Sequence, residues 1–110
     1  MILSTTENLP DRRIVRVLGI CKGCSVRGTH VGGDLVAQMK NKLGGEVHEY
    51  TQVFAAAREQ AMDRMIEDAR RLGANAVVGV KFCSTEIGAG VAELMCYGTA
   101  VQTQNSTPES

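Results

Sequence analysis

Four cysteines carry most of the chemistry this chain can offer. Cys21-Lys22-Gly23-Cys24 is a C-x-x-C, while Cys83 and Cys96 stand near the other end of the chain. Lys22-Gly23 reads as a two-residue turn, with glycine supplying a positive φ. Cys21 and Cys24 would then flank the turn with Cα atoms within about 5.5 Å. That separation suits a shared soft metal and also permits a disulfide. A structural zinc site takes four ligands, and zinc or copper(I) accepts thiolates. Cys83 and Cys96 supply the second pair, so the candidate metal set is Cys21, Cys24, Cys83 and Cys96.

The second pair can be tested by register. With Ala89-Gly90 as the connecting loop, Cys83 faces Cys96. With Gly88-Ala89 it faces Leu94, and Cys96 is a diagonal neighbour about 7–8 Å away. Either register sets both thiols on one face. The competing reading makes all four cysteines small buried hydrophobes, as free cysteines often are. Redox catalysis is disfavoured. Thioredoxin-type pairs sit at a helix N-terminus, where the dipole lowers the thiol pKa, and this pair falls at a strand turn.

Other chemistry is scarce. His30 and His48 are the only histidines, 18 residues apart, and nothing in the sequence sets either beside a Ser, Cys or acid for nucleophilic catalysis. No enzyme is expected. The glycines at 32–33 and 44–45 are not followed by G-K-[ST], so they form no phosphate loop. Glu93 stands in an otherwise apolar strand. With Glu86 it could line a pore or bind a cation, but an edge charge that discourages wrong strand pairing is the preferred reading.

The elements that must position these residues follow from periodicity. Residues 14–21 (IVRVLGIC) are rich in β-branched residues and read as a strand, with a short return over 25–28. A weaker helix over 30–43 carries Val31, Leu35, Met39 and Leu43 at every fourth position. The helix over about 47–72 is the most secure element. Tyr50, Phe54, Ala57, Ala61, Met65, Ala69 and Leu72 make one apolar face. Arg70 and Arg71 suit its C-terminal dipole, and Gly73 is placed as its left-handed cap. At about 25 residues it is roughly 37 Å long, against an expected radius of gyration of about 13 Å. Residues 76–85 form a strand in which Val78, Val80 and Phe82 point one way and Val77, Gly79, Lys81 and Cys83 the other. Residues 88–90 turn, 91–101 form a last strand, and 105–110 are a disordered tail. The order β-α-α-β-β predicts an α+β two-layer domain over 1–104, a small antiparallel sheet with helices on one face.

Composition narrows the function class. Twelve Lys and Arg balance twelve Asp and Glu, so no global charge draws the chain to nucleic acid or anionic membrane. Residues 12–42 hold seven bases against Asp34, and 46–93 hold eight acids against five bases. No aromatic interleaves the basic run, so oppositely charged faces, solvated or meeting between subunits, fit better than a nucleic-acid patch. The opening MILSTTENLPD has no basic n-region or apolar h-region, so no secretory signal is expected. No apolar run reaches the roughly 20 residues of a membrane span. A cytoplasmic protein with reduced thiols is expected. A glycine-, alanine- and valine-rich chain of this size would gain from burying more area between subunits.

Several segments together resemble the YbjQ-like family, small bacterial proteins of unknown function described as "putative heavy-metal-binding". They are STT at 4–6, GGE at 44–46 with Tyr50 four residues on, AR at 57–58, GANAVVGV at 73–80 and YGTAV at 97–101. The resemblance covers nearly the whole chain. It implies a dodecin-like α+β subunit assembled as a homo-oligomeric ring, a pentamer, and it implies no established reaction or agreed ligand set. The cysteines depart from the family's common pattern. The reading is therefore a non-enzymatic, homo-oligomeric binding protein taking zinc or copper through thiols. The alternative is an oligomeric interaction module that recruits a protein or small molecule without metal.

Overall fold

A computed structural model of the 110-residue chain describes residues 1–28, 48–88 and 91–105. Its elements are β1 (Ile2–Leu3), β2 (Arg12–Gly28), α1 (His48–Arg71), β3 (Ala76–Gly88) and β4 (Val91–Asn105). The strands form one sheet in the order β1-β3-β4-β2. β1 runs parallel to β3, and the other pairings are antiparallel. The α+β class expected from periodicity is found, but the sheet is mixed rather than purely antiparallel. A two-residue strand such as Ile2–Leu3 has no period to detect. The expected helix over 30–43 and the tail from 106 onward lie outside the described residues, and β4 continues past Val101 to Asn105. No described helix is long and apolar enough to cross a membrane.

α1 follows its alanine spacing. Ala57, Ala61, Met65 and Ala69 recur every fourth residue and are at most 1% exposed. Phe54, near the start of that stripe, and Leu72, just past the helix, are 50% and 40% exposed. Its C-terminus closes as a Schellman motif: the Gly73 amide donates to Arg70 O at 2.9 Å and the Ala74 amide to Ala69 O at 3.0 Å. Gly73 takes φ +87°, as that cap requires.

The helix lies mainly along β2 and β4. With Cys21, Val77, Val80, Cys96 and Ala100 it encloses the main core. Gly23 lets the two elements touch: a Cβ there would meet the Ala61 carbonyl oxygen at 2.2 Å and the Met65 nitrogen at 2.3 Å. Two polar contacts set the helix along the outer margin of β2. The Lys22 amide donates to Asp68 Oδ2 at 3.0 Å, and Arg64 Nη1 donates to the Cys24 carbonyl at 2.5 Å.

β2 is thus one strand of 17 residues. The turn expected at Lys22-Gly23 is absent. The residues at 25–28 continue the strand rather than return, and Gly23 serves close approach instead of a positive φ. Strict alternation in β3 also fails. The ladder shifts between Val78 and Lys81, where Gly79 has φ +63°. Val77 and Val80 therefore share the helix side, while Val78 joins Ala76 and Val101 in a smaller core on the other face, closed by Leu9 and Ile14. The Cα radius of gyration is 17.9 Å, with principal extents of 62 × 24 × 17 Å, well beyond the roughly 13 Å of a compact chain this long.

Candidate functional site

The continuous β2 strand decides where the cysteines go. Side chains three apart on a strand point to opposite faces, so Cys21 and Cys24 are separated by the sheet rather than paired. Cys83 and Cys96 are separated too. Gly88 faces Val91, the pairing that the first expected register gives, but the ladder slips by one residue at Ile87. Cys83 then faces Met95, and Cys96 faces Phe82. The expectation that both thiols share a face is overturned by that one-residue bulge, since a single-residue slip exchanges the faces.

The four thiols re-sort into two pairs, one on each side of the sheet. Cys21 and Cys96 lie under α1, both fully buried, beside fully buried Met65. Their cross-strand partners are Gly98 and Gly23, so they are diagonal neighbours. The Cys96 thiol donates to Met65 Sδ at 3.5 Å, and the Cys21 thiol donates to Gly98 O at 3.6 Å. Burial pushes the Cys96 thiol up to about 11, with Cys21 adding to the effect. Burial also raises Cys21, helped by the Asp68 charge and opposed by backbone hydrogen bonds. Both are neutral thiols in neutral water.

Cys24 and Cys83 lie on the open face. Each stands opposite Met95 on the central strand β4, so Cys24, Met95 and Cys83 form one row across three strands. All three are half-buried. The next row toward the middle of the sheet is Lys22, Tyr97 and Lys81, and the row on the other side is Val26, Glu93 and Thr85. Partial burial raises the Cys24 pKa first, followed by the Glu93 charge and its hydrogen bond, while Lys22 pulls it down. Glu93 is therefore no edge charge. It sits on an interior strand and touches a thiol. Glu86 is exposed two residues beyond Ser84.

All four cysteines are free. No single ion can reach all of them, because the sheet stands between the pairs. Among the described residues, no three His, Cys, Asp or Glu side chains gather around one point. What the fold offers is sulfur: two thiols with the Met65 thioether on one side, two thiols with Met95 on the other. Soft donors of this kind fit soft cations and do not fit magnesium or calcium. The methionine contribution was legible only as apolar spacing in the sequence. Met95 could be recognised as a partner only once both of its cross-strand neighbours were known. His30 lies outside the described residues, and His48 opens α1.

Comparison with known proteins places the chain in a family. Residues 1–104 match the YbjQ family, described as "putative heavy-metal-binding". A UPF0145 protein of Thermococcus kodakarensis is 52% identical, over 92% of this chain and 89% of its own. One from Archaeoglobus fulgidus is 48% identical over 93% and 94%, and one from Thermus thermophilus 47% over 93% and 90%. Relatives thus occur in archaea as well as bacteria. A crystal structure of a DUF74-family protein of unknown function from Pediococcus pentosaceus shares the fold. It has a TM-score of 0.61 at 15% identity, covering 94% of this chain and 98% of that one. The chain belongs to the YbjQ (UPF0145) family.

Proposed function

We propose that this protein is a non-enzymatic, homo-oligomeric binder of a soft metal ion, held at the open-face row Cys24–Met95–Cys83. One observation carries the reading: two half-buried thiols flank a thioether in a single row. Thiolate and thioether together favour copper(I). Zinc is less well served, because a structural zinc wants four ligands. Lys22 and Lys81 in the neighbouring row offset the negative charge that two thiolates would bring. Four unpaired thiols suit a reducing compartment such as the cytoplasm.

Purified protein is expected to take up one copper(I) per chain under reducing conditions. The Cys24→Ser/Cys83→Ser variant should lose that equivalent, and Cys21→Ala/Cys96→Ala should keep it. Wild-type protein with no uptake, or uptake indifferent to Cys24 and Cys83, sinks the assignment.

Self-association is supported by the open flank of the molecule. Val17 and Ile20, on the outermost strand, are 65% and 76% exposed, and Val15 is 43% exposed. Large exposed apolar residues gathered on one edge strand are what an interface between copies would cover. The ring of five is what the family resemblance implies. Light scattering should give a mass near five times 11.8 kDa; a persistent 11.8 kDa species at micromolar concentration would contradict assembly.

A further inference from the structure

The open-face row leaves the buried sulfurs unused. Cys21, Cys96 and Met65 meet in the main core with no exposed surface, and among the described residues the only charged group acting on this pair is Asp68, near Cys21. We propose that this trio is a second, internal site, selective for a soft divalent cation of the mercuric type.

The geometry suits a two-coordinate bridge. Diagonal cross-strand neighbours have Cα atoms about 7–8 Å apart. Two metal–thiolate bonds of about 2.3 Å set their sulfurs about 4.6 Å apart. Side chains leaning toward each other across one diagonal cover the difference. Cys24 and Cys83 stand one strand spacing to either side of Met95, so an ion shared there is centred on the thioether, whereas the inner pair can bridge an ion directly. Met65 already touches Cys96 through sulfur, and it supplies a soft third neighbour without adding charge.

Charge selects the ion. Two S–H groups lose their protons to solvent and give both sulfur electron pairs to the metal. A divalent ion then yields a neutral bis-thiolate and two released protons, with no oxidation or reduction. A monovalent copper(I) ion would leave one negative charge in a dry core. That is costly, and Asp68 would make it worse. The outer row lies between Glu93 and the two lysines and is open to solvent, so it carries that charge at less cost than the sealed inner trio. The same sheet thus separates two preferences, monovalent outside and divalent inside.

The test uses the full chain carrying Cys24→Ser/Cys83→Ser, so that the outer site is gone whatever its own fate. Titration with mercuric ion should show one equivalent bound per chain, ultraviolet thiolate-to-metal absorption, two protons released per ion and a raised thermal midpoint. Copper(I) should give no such complex in this variant. Adding Cys21→Ala or Cys96→Ala should abolish the equivalent while circular dichroism reports an unchanged fold. No retained ion, retention unaffected by either alanine, or a midpoint that falls on loading would each overturn the proposal. A falling midpoint would mean that the ion prefers the unfolded chain.

Discussion

Gly23→Ala should lower the free energy of unfolding by about 3 kcal/mol. The new Cβ would stand 2.2 Å from the Ala61 carbonyl oxygen, 2.3 Å from the Met65 nitrogen and 2.7 Å from Arg64 Cβ. Two of these three neighbours are helix backbone, which cannot rotate aside as a side-chain tip does. The helix must lift from β2 instead, and lifting it loosens Met65 and Ala61 from Cys21 and Cys96. Gly88→Ala is the matched control: nothing stands within 4 Å of its Cβ position and its φ is not positive. It should change stability by less than about 1 kcal/mol. Denaturant unfolding of the two variants gives the comparison. Equal stability of Gly23→Ala and wild type would mean that α1 does not rest on this strand.

Alkali should weaken the fold by about 2–3 kcal/mol between about pH 9 and pH 11. Cys96 is held at about 11 when folded against an ordinary value of 9.0. A raised folded pKa means that the native state holds its proton more tightly than the unfolded chain. Its stabilising contribution is complete below pH 9, declines as the unfolded thiol ionises, and is gone once the folded thiol ionises near 11. Cys21, raised for the same reason of burial, acts in the same direction. The shape of the profile is the readout. Denaturation of wild type and Cys21→Ala/Cys96→Ala across this range should show wild type losing about 2–3 kcal/mol relative to the variant as pH rises, whatever their offset at neutral pH. Parallel curves would mean that the thiols are not sealed under the helix.

Much of the fold was legible because it rests on local repetition. The alanine spacing of α1, the stop at Gly73 and the β-branched runs of β2 and β3 each declare themselves within a dozen residues. What escaped was non-local or unmarked. Gly23 within C-x-x-C is read equally well as a turn or as a point of close approach, and only the position of Ala61 and Met65 decides between them. The slip at Ile87 involves an isoleucine between a glutamate and a glycine, with nothing to distinguish it from a paired residue. Yet that slip sends Cys83 and Cys96 to opposite faces. Gly79 did leave a trace, since a glycine inside a strand often marks a bulge. The thiols as ligand candidates were visible from composition alone, but their partnership was not. It depends on two registers and a crossing helix, each set by packing across the whole chain.

The Asp68 and Arg64 contacts to β2 reach beyond the placing of a helix. An outermost strand normally presents a ladder of open rungs on which a foreign backbone can climb. Here the rungs at Lys22 and Cys24 are already occupied, by a carboxylate and a guanidinium. An invading strand would have to break off at that point, so a continuous amyloid-type stack cannot propagate along this margin while the helix stays docked.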